Sequence, residues 1–344
     1  MAQQPRSVHV YNWSDYVDPK LLDEFTRETG IRVVYDTYDS NETLEAKLLA
    51  GRTGYDIVVP SGTFLQRQIQ AGVYQPLERS RLANAKHIWR EVDERLAVYD
   101  PNNRHAVNYM WFTTGIAYDA AKAKARMGDQ PMNTWDIIFK PENLKKFSDC
   151  GVYVLDSPED LFAIAMRYLR LTPDFRSAGD VAKASALLQR IRPHVRRFHS
   201  SEYINALANG DICLAVGWSG DSFQARNRAR EAGNGIEIDY VIPREGTLVS
   251  MDNIAIPKDA GNVDEAYAFI DFLLRPENAA RNTIASNFAN GVATSRPLIP
   301  QEITGNKSIY PDEETMKRLF SVAPPDRAAQ RTLTREWTRV KTGK

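Results

Sequence analysis

The chain has 344 residues, 26% charged and 43% hydrophobic, an ordinary globular composition with material for a sizeable core and about two domains. Its 44 basic residues balance 44 acidic ones, so no global charge draws it to nucleic acid or to an anionic lipid surface. No apolar run approaches ~18 residues, which excludes a membrane-spanning helix.

The opening MAQQPRS is polar and lacks an apolar signal core. It fits either a cytoplasmic chain or a mature terminus left after signal removal, with Met1 added. Val8 to Tyr11 alternates as a strand. Asp18-Pro19 then caps a helix whose Leu21, Leu22 and Phe25 recur at helical spacing, and Gly30 ends it. IRVVYDTY is predicted strand, ETLEAKLLA helix, YDIVVP strand and TFLQRQIQAG helix. This β-α-β-α-β rhythm predicts a parallel sheet with helices on its faces.

A second series follows YMWFTTGIAYD. It holds strand GVYVLD, helix PEDLFAIAMRYL, a helical segment around Val181 to Ile191, helix SEYINALANG, strand ICLAVG and helix SFQARNRAREAG. The apolar stretch GTLVSMDNIAIP and the helix VDEAYAFIDFLL come next. There is no linker rich in Pro, Gly or Ser, so the pattern predicts an α/β chain of two lobes that exchange strands at YMWFTTGIAYD and GTLVSMDNIAIP. Near the end, Arg327, Arg331, Arg335 and Arg339 form one stripe of a helix, a solvated face or a docking surface.

The sequence offers little for catalysis or metal binding. Five histidines, His9, His87, His105, His194 and His199, are scattered without H-E-x-x-H spacing, and no phosphate-binding glycine loop occurs, so neither metal nor cofactor is expected. Gly217-Trp218-Ser219-Gly220-Asp221 misses the nucleophile elbow, because Asp221 stands where the second glycine belongs.

What recurs is a pattern at strand ends, where open α/β sheets hold their ligands. Trp13, Ser14, Asp15 and Tyr16 follow the first strand, and Ser61, Thr63 and Phe64 follow YDIVVP. Asp156 and Glu159 follow GVYVL, Trp218 and Asp221 follow ICLAV, and Asp252 lies in the second crossing. These loops combine carboxylates and aromatics without arginine or lysine, which suits an organic cation rather than an anion. Aromatic faces attract ammonium groups and cover methylene chains, while carboxylates accept charge-assisted hydrogen bonds from each amine.

Each residue also has a structural reading. Asp156, Ser157 and Glu159 around Pro158 suit a helix start, Asp221 could cap a helix, and Trp218 and Phe64 could be core. Asp252 in an apolar stretch is harder to assign to scaffolding, since a buried carboxylate needs partners. Cys150 and Cys213 fit either a reduced buried pair or one disulfide in an oxidising compartment.

The segments YNWSDYVDP, YDIVVPS, LDSPE, VGWSGD and RTLTREWTRVKTGK together resemble the periplasmic putrescine/spermidine-binding proteins of ABC importers, from about Val8 to Lys344. The resemblance implies a type II periplasmic-binding-protein fold, two lobes with central mixed sheets joined by crossover strands. Lobe 1 would comprise residues 7–110 and 253–300, and lobe 2 residues 111–252 and 301–344, closing on ligand in the cleft between them. It further implies a non-catalytic monomer in the periplasm, after signal removal, with a Cys150–Cys213 disulfide. Its partners would be a polyamine and an inner-membrane permease.

By motif, Trp13, Ser14, Asp15, Tyr16 and Ser61 are similar to the family's first-lobe contacts, and Glu159, Trp218, Asp221 and Asp252 to those of the second lobe and crossing. Four positions depart from the pattern. Ser250 stands where relatives place an aromatic, Phe288 where they place tyrosine, and Thr63 where serine or tyrosine occurs. Asp156 is an acid where the putrescine type can have alanine and the spermidine type tends to have an acid. The extra acid favours a further amine while Ser250 removes a stacking wall, so putrescine and spermidine rank together. The alternatives are a shifted ligand, such as another amine or an amino acid derivative, and a polyamine sensor docking on a receptor.

Overall fold

The computed structural model describes residues 6–343. The segment MAQQP, which carries the reading of the N-terminus, and Lys344 lie outside the described residues. Four strands precede the middle of the chain: β1 (Ser7–Trp13), β2 (Arg32–Tyr38), β3 (Ile57–Val58) and β4 (Ala106–Asp119). Six follow: β5 (Val152–Val154), β6 (Arg197–Phe198), β7 (Leu214–Trp218), β8 (Ile238–Val241), β9 (Val249–Ala255) and β10 (Ala289–Asn290). Contacts divide the described residues into two units. Unit 1 takes those up to Trp111 together with Ser250–Asn306, and unit 2 takes Phe112–Val249 and those from Lys307 onward.

In unit 1, β1 lies between β2 and β3, parallel to both, in the register Ser7↔Arg32 to Trp13↔Tyr38 on one side and Val10↔Ile57 on the other. The βαβ rhythm of the sequence produces this, because parallel neighbours need a crossover, here a helix, between them. β9 pairs antiparallel with β3 at Val58↔Ala255, which makes the sheet mixed. The helix Pro19–Thr29 is capped by Asp18, whose carboxylate accepts from the Lys20 N–H, and closed by Gly30 in the left-handed region at φ 71°. Its Leu21 and Phe25 are buried, and Phe25 meets Phe269 and Phe272 edge-on at 4.9 and 5.3 Å. These two rings come from the helix Val263–Leu273.

In unit 2 the order is β8-β4-β7-β5-β6. β4 is antiparallel to β7 and β8, whereas β7, β5 and β6 run parallel. The helix Pro158–Tyr168 buries every residue from Asp160 to Met166, so its apolar character serves packing on more than one side. The parallel register Val152↔Leu214 sets the residues just before both strands side by side. The Cys213 N–H donates to Gly151 O at 3.1 Å, and a disulfide joins Cys150 to Cys213 with their Cα atoms 5.6 Å apart.

The arginine stripe lies on the helix Arg327–Thr342. Arg335 and Arg339 flank the buried Glu336, which also accepts from the Ser185 hydroxyl at 3.0 Å. Two expectations about elements need correction. YDIVVP supplies only two strand residues, and the helix after β7 begins at Ser219, so Asp221 sits in its first turn and is not its cap. Among the described residues no helix is long and apolar enough to cross a membrane.

Candidate functional site

In unit 1 the expected residues meet around Asp252. β1 ends at Trp13, whose indole donates to Val59 O at 2.9 Å and whose ring packs 4.7 Å from Tyr38. The chain then turns through Ser14 and Asp15, both exposed, with Asp15 in the left-handed region at φ 55°, which a short polar side chain tolerates. That turn drops Tyr16 back into the interior. Its hydroxyl donates to Asp252 Oδ2 at 2.8 Å, and its backbone carbonyl accepts from the Tyr109 hydroxyl at 2.6 Å.

Ser61, at the end of the β3 segment, bridges antiparallel to Asp252 and donates its hydroxyl to Asp252 Oδ1 at 2.6 Å. Asn41 holds Ser61 in turn, donating to its Oγ at 3.0 Å and accepting from its N–H at 3.1 Å. Asp252 is only 3% exposed, a setting in which a carboxylate needs hydrogen-bond donors such as these. Its charge also acts on Tyr38, whose phenol is pushed well above the ordinary tyrosine value, first by burial and then by Asp252.

Phe288 is buried and touches the Tyr16 ring edge-on at 4.7 Å, so it packs the tyrosine that holds the carboxylate. Ser250, half-buried, lies two residues before Asp252 on β9 and therefore on the same face of the strand. Thr63 is in the first turn of the helix Gly62–Gln70.

Unit 2 presents a second carboxylate, Asp221, in the first turn of the helix Ser219–Ala232, where the helix dipole favours negative charge. Tyr203, fully buried, donates its hydroxyl to Asp221 Oδ2 at 2.8 Å and accepts the Trp218 N–H at 2.9 Å. Trp218 is half-buried with Phe112 against its ring at 5.8 Å. Glu159 is half-buried in the first turn of the helix Pro158–Tyr168.

Beside Glu159, Asp160 is buried and accepts from Ser157 Oγ at 2.6 Å and Thr114 Oγ1 at 3.3 Å. Burial raises its pKa above the ordinary aspartate value, and those hydrogen bonds oppose the rise.

Asp156 is engaged differently. Its Oδ1 accepts from the Trp337 indole at 2.7 Å, and both its oxygens lie 3.0 Å from Lys341 Nζ. The extra acid therefore ties the end of β5 to the C-terminal helix, and a cation within the chain offsets its charge. Among the described residues no group of three or more His, Cys, Asp and Glu is placed to hold a metal.

Sequence reasoning missed Tyr203, Asp160 and Asn41. Tyr203 lies 18 residues from Asp221 on a helix of its own, and only their hydrogen bond reveals the connection. For Asp160 a signal existed, since an acid beside Glu159 in an otherwise apolar helical segment needs partners.

The chain matches the family model of bacterial extracellular solute-binding proteins over residues 20–307. It is 50% identical to the putrescine-binding periplasmic protein SpuD of Pseudomonas aeruginosa, over 100% of this chain and 94% of that one. It is 48% identical to the putrescine-binding periplasmic protein PotF of Escherichia coli, with the same shares covered. Among solved structures, the spermidine/putrescine ABC transporter substrate-binding protein PotD of Streptococcus pneumoniae superposes with a TM-score of 0.82 at 28% identity, covering 98% of this chain and 99% of that one.

Proposed function

The chain belongs to the bacterial extracellular solute-binding proteins, with their type II fold, and on that premise we propose that it captures a linear di- or polyamine for an ABC importer. The observation that carries the ligand class is the chemistry around Asp252 and Asp221. Tyr16 and Ser61 donate hydroxyls to Asp252 and Tyr203 donates one to Asp221, and these bonds orient the two carboxylates. Each unit thus brings an oriented anionic acceptor with a tryptophan nearby, Trp13 in one and Trp218 in the other. A linear amine carries at least two ammonium groups for such acceptors and methylenes for the aromatic faces.

Putrescine ranks ahead of spermidine. A third amine would call on Asp156, whose carboxylate pairs with Lys341 and the Trp337 indole of the C-terminal helix. The relatives at 50% and 48% identity are putrescine-binding proteins, and the spermidine/putrescine-binding protein of Escherichia coli is 33% identical. These relatives do not favour the shifted-ligand or sensor alternatives. Ser14, Asp15, Thr63, Glu159, Ser250 and Phe288 complete the proposed ligand set, with Phe288 acting through Tyr16.

The proposed role is capture without turnover, by a monomer in the periplasm that delivers to an inner-membrane permease. The disulfide supports an oxidising compartment, and the two relatives at about half identity are periplasmic by name. Isothermal titration calorimetry against putrescine, spermidine and longer amines tests the ligand class. A saturating heat with putrescine at one site is expected, and no heat or thermal shift with any of these amines would overturn it.

A further inference from the structure

Tyr203 belongs to none of the strand-end motifs that point to the ligand, yet it organises two residues that do. It opens the helix Tyr203–Ala208, with its ring fully buried under the β7 end. The Trp218 N–H donates to its oxygen at 2.9 Å. A phenol has one proton, and with the oxygen accepting from Trp218 that proton is left for Asp221 Oδ2 at 2.8 Å.

The ring's place is kept open by Gly217. A Cβ at that position would come within 2.5 Å of Tyr203 Cε2 and 3.0 Å of its hydroxyl, so any larger residue would push the phenol off the carboxylate. Burial, followed by the charge of Asp221, holds the phenol well above the ordinary tyrosine value, so the hydroxyl remains a donor across the physiological range. In unit 1, Tyr16 stands in the same relation to Asp252, a buried phenol donating to the carboxylate at 2.8 Å.

We propose that Tyr203 is a positioning residue for amine binding: its hydroxyl, aimed by the Trp218 N–H, locks the Asp221 carboxylate in one orientation before the ligand arrives. This role rests on the amine-binding reading and adds to it a residue that does not itself touch the ligand. Without the hydroxyl, Asp221 loses one of the contacts that fix its orientation, and binding must remove whatever rotamer freedom it regains. The cost falls on affinity, and most of it falls only while residue 221 has a carboxylate to be held.

That condition supplies the test. Putrescine affinity is measured calorimetrically for the full chain, Tyr203→Phe, Asp221→Ala and the double variant, with thermal unfolding of each in the absence of ligand. Tyr203→Phe keeps the ring and its packing and should weaken binding roughly three- to tenfold. In the Asp221→Ala background the same change should cost markedly less, since only the Trp218 N–H then loses its partner. Gly217→Ala, which displaces the ring instead of trimming it, should reproduce the loss.

Affinity of Tyr203→Phe within twofold of the full chain would overturn the proposal. So would an equal loss in both backgrounds, which would mark Tyr203 as ordinary core whose removal loosens unit 2. An unaltered chain that gives no heat with putrescine would instead overturn the ligand reading, and the Tyr203 role with it. The two failures are distinguished by the unaltered chain alone.

Discussion

Replacing Asp252 by asparagine removes a charge while leaving a side chain of the same size. Two hydroxyls now donate to this carboxylate, Ser61 at 2.6 Å and Tyr16 at 2.8 Å. Ser61 also accepts from Asn41, so its proton remains committed to residue 252 and the new amide oxygen would turn towards it. The amide NH2 then faces Tyr16, whose hydroxyl can rotate to accept. Two hydrogen bonds to a charged group are exchanged for neutral ones, and burial of a charge at a 3% exposed site is relieved. The two effects oppose each other, so the unliganded chain should change stability by no more than about 1 kcal/mol.

Binding has no such compensation. An ammonium that loses a buried carboxylate partner loses ~3–5 kcal/mol, roughly a hundredfold to several thousandfold in affinity. Calorimetry with putrescine gives the affinity, and urea unfolding without ligand gives the stability. A loss under tenfold, or one matched by Ser14→Ala at the exposed turn, would refute the assignment of Asp252 as an ammonium acceptor. So would a large fall in stability that accounts for the binding loss.

Three further outcomes follow from the geometry. Asp156→Ala should leave putrescine affinity within threefold; because the Lys341 pair is more than a third exposed, its ionic part contributes only ~0.5 kcal/mol to unfolding stability, and a large affinity loss would return Asp156 to the ligand set. Asp160 has its native pKa raised by burial above 3.8, so its protonated form adds stability below that pH, and this is lost as pH rises through the native value. Asp160→Asn should therefore gain on the unaltered chain between about pH 4 and neutrality, and parallel urea profiles at pH 4, 5.5 and 7 would contradict this. Opening the Cys150–Cys213 loop, of sequence separation 63, by replacing both cysteines with serine should lower stability by about 4 kcal/mol, and an unchanged urea midpoint would show that the crosslink contributes nothing.

Much of the fold was legible because its signals are local. Asp18-Pro19 and Gly30 mark the ends of the helix Pro19–Thr29 through capping chemistry, and the spacing of Leu21 and Phe25 marks its buried face. The strand-end clustering of Trp13, Tyr16, Asp221 and Asp252 was legible for a related reason, since alternation locates strands and their ends locate loops. Asp156 and Asp221 were not separable on those grounds. Both follow a strand and sit near a helix start, and the partners that differ, Lys341 and Trp337 for Asp156 and Tyr203 for Asp221, come from elsewhere in the chain.

The sequence by itself therefore determined the chain's elements, its parallel first strands and the cationic character of its expected ligand. Each depends on residues within a turn or two of one another, or on residue type alone. Tertiary structure decided which hydroxyls meet Asp252 and Asp221, that β9 joins β3 antiparallel, and that Phe288 packs against Tyr16. These depend on partners far apart along the chain, such as Tyr16 with Asp252, and hydrogen bonds over a few ångströms leave no periodic trace in sequence.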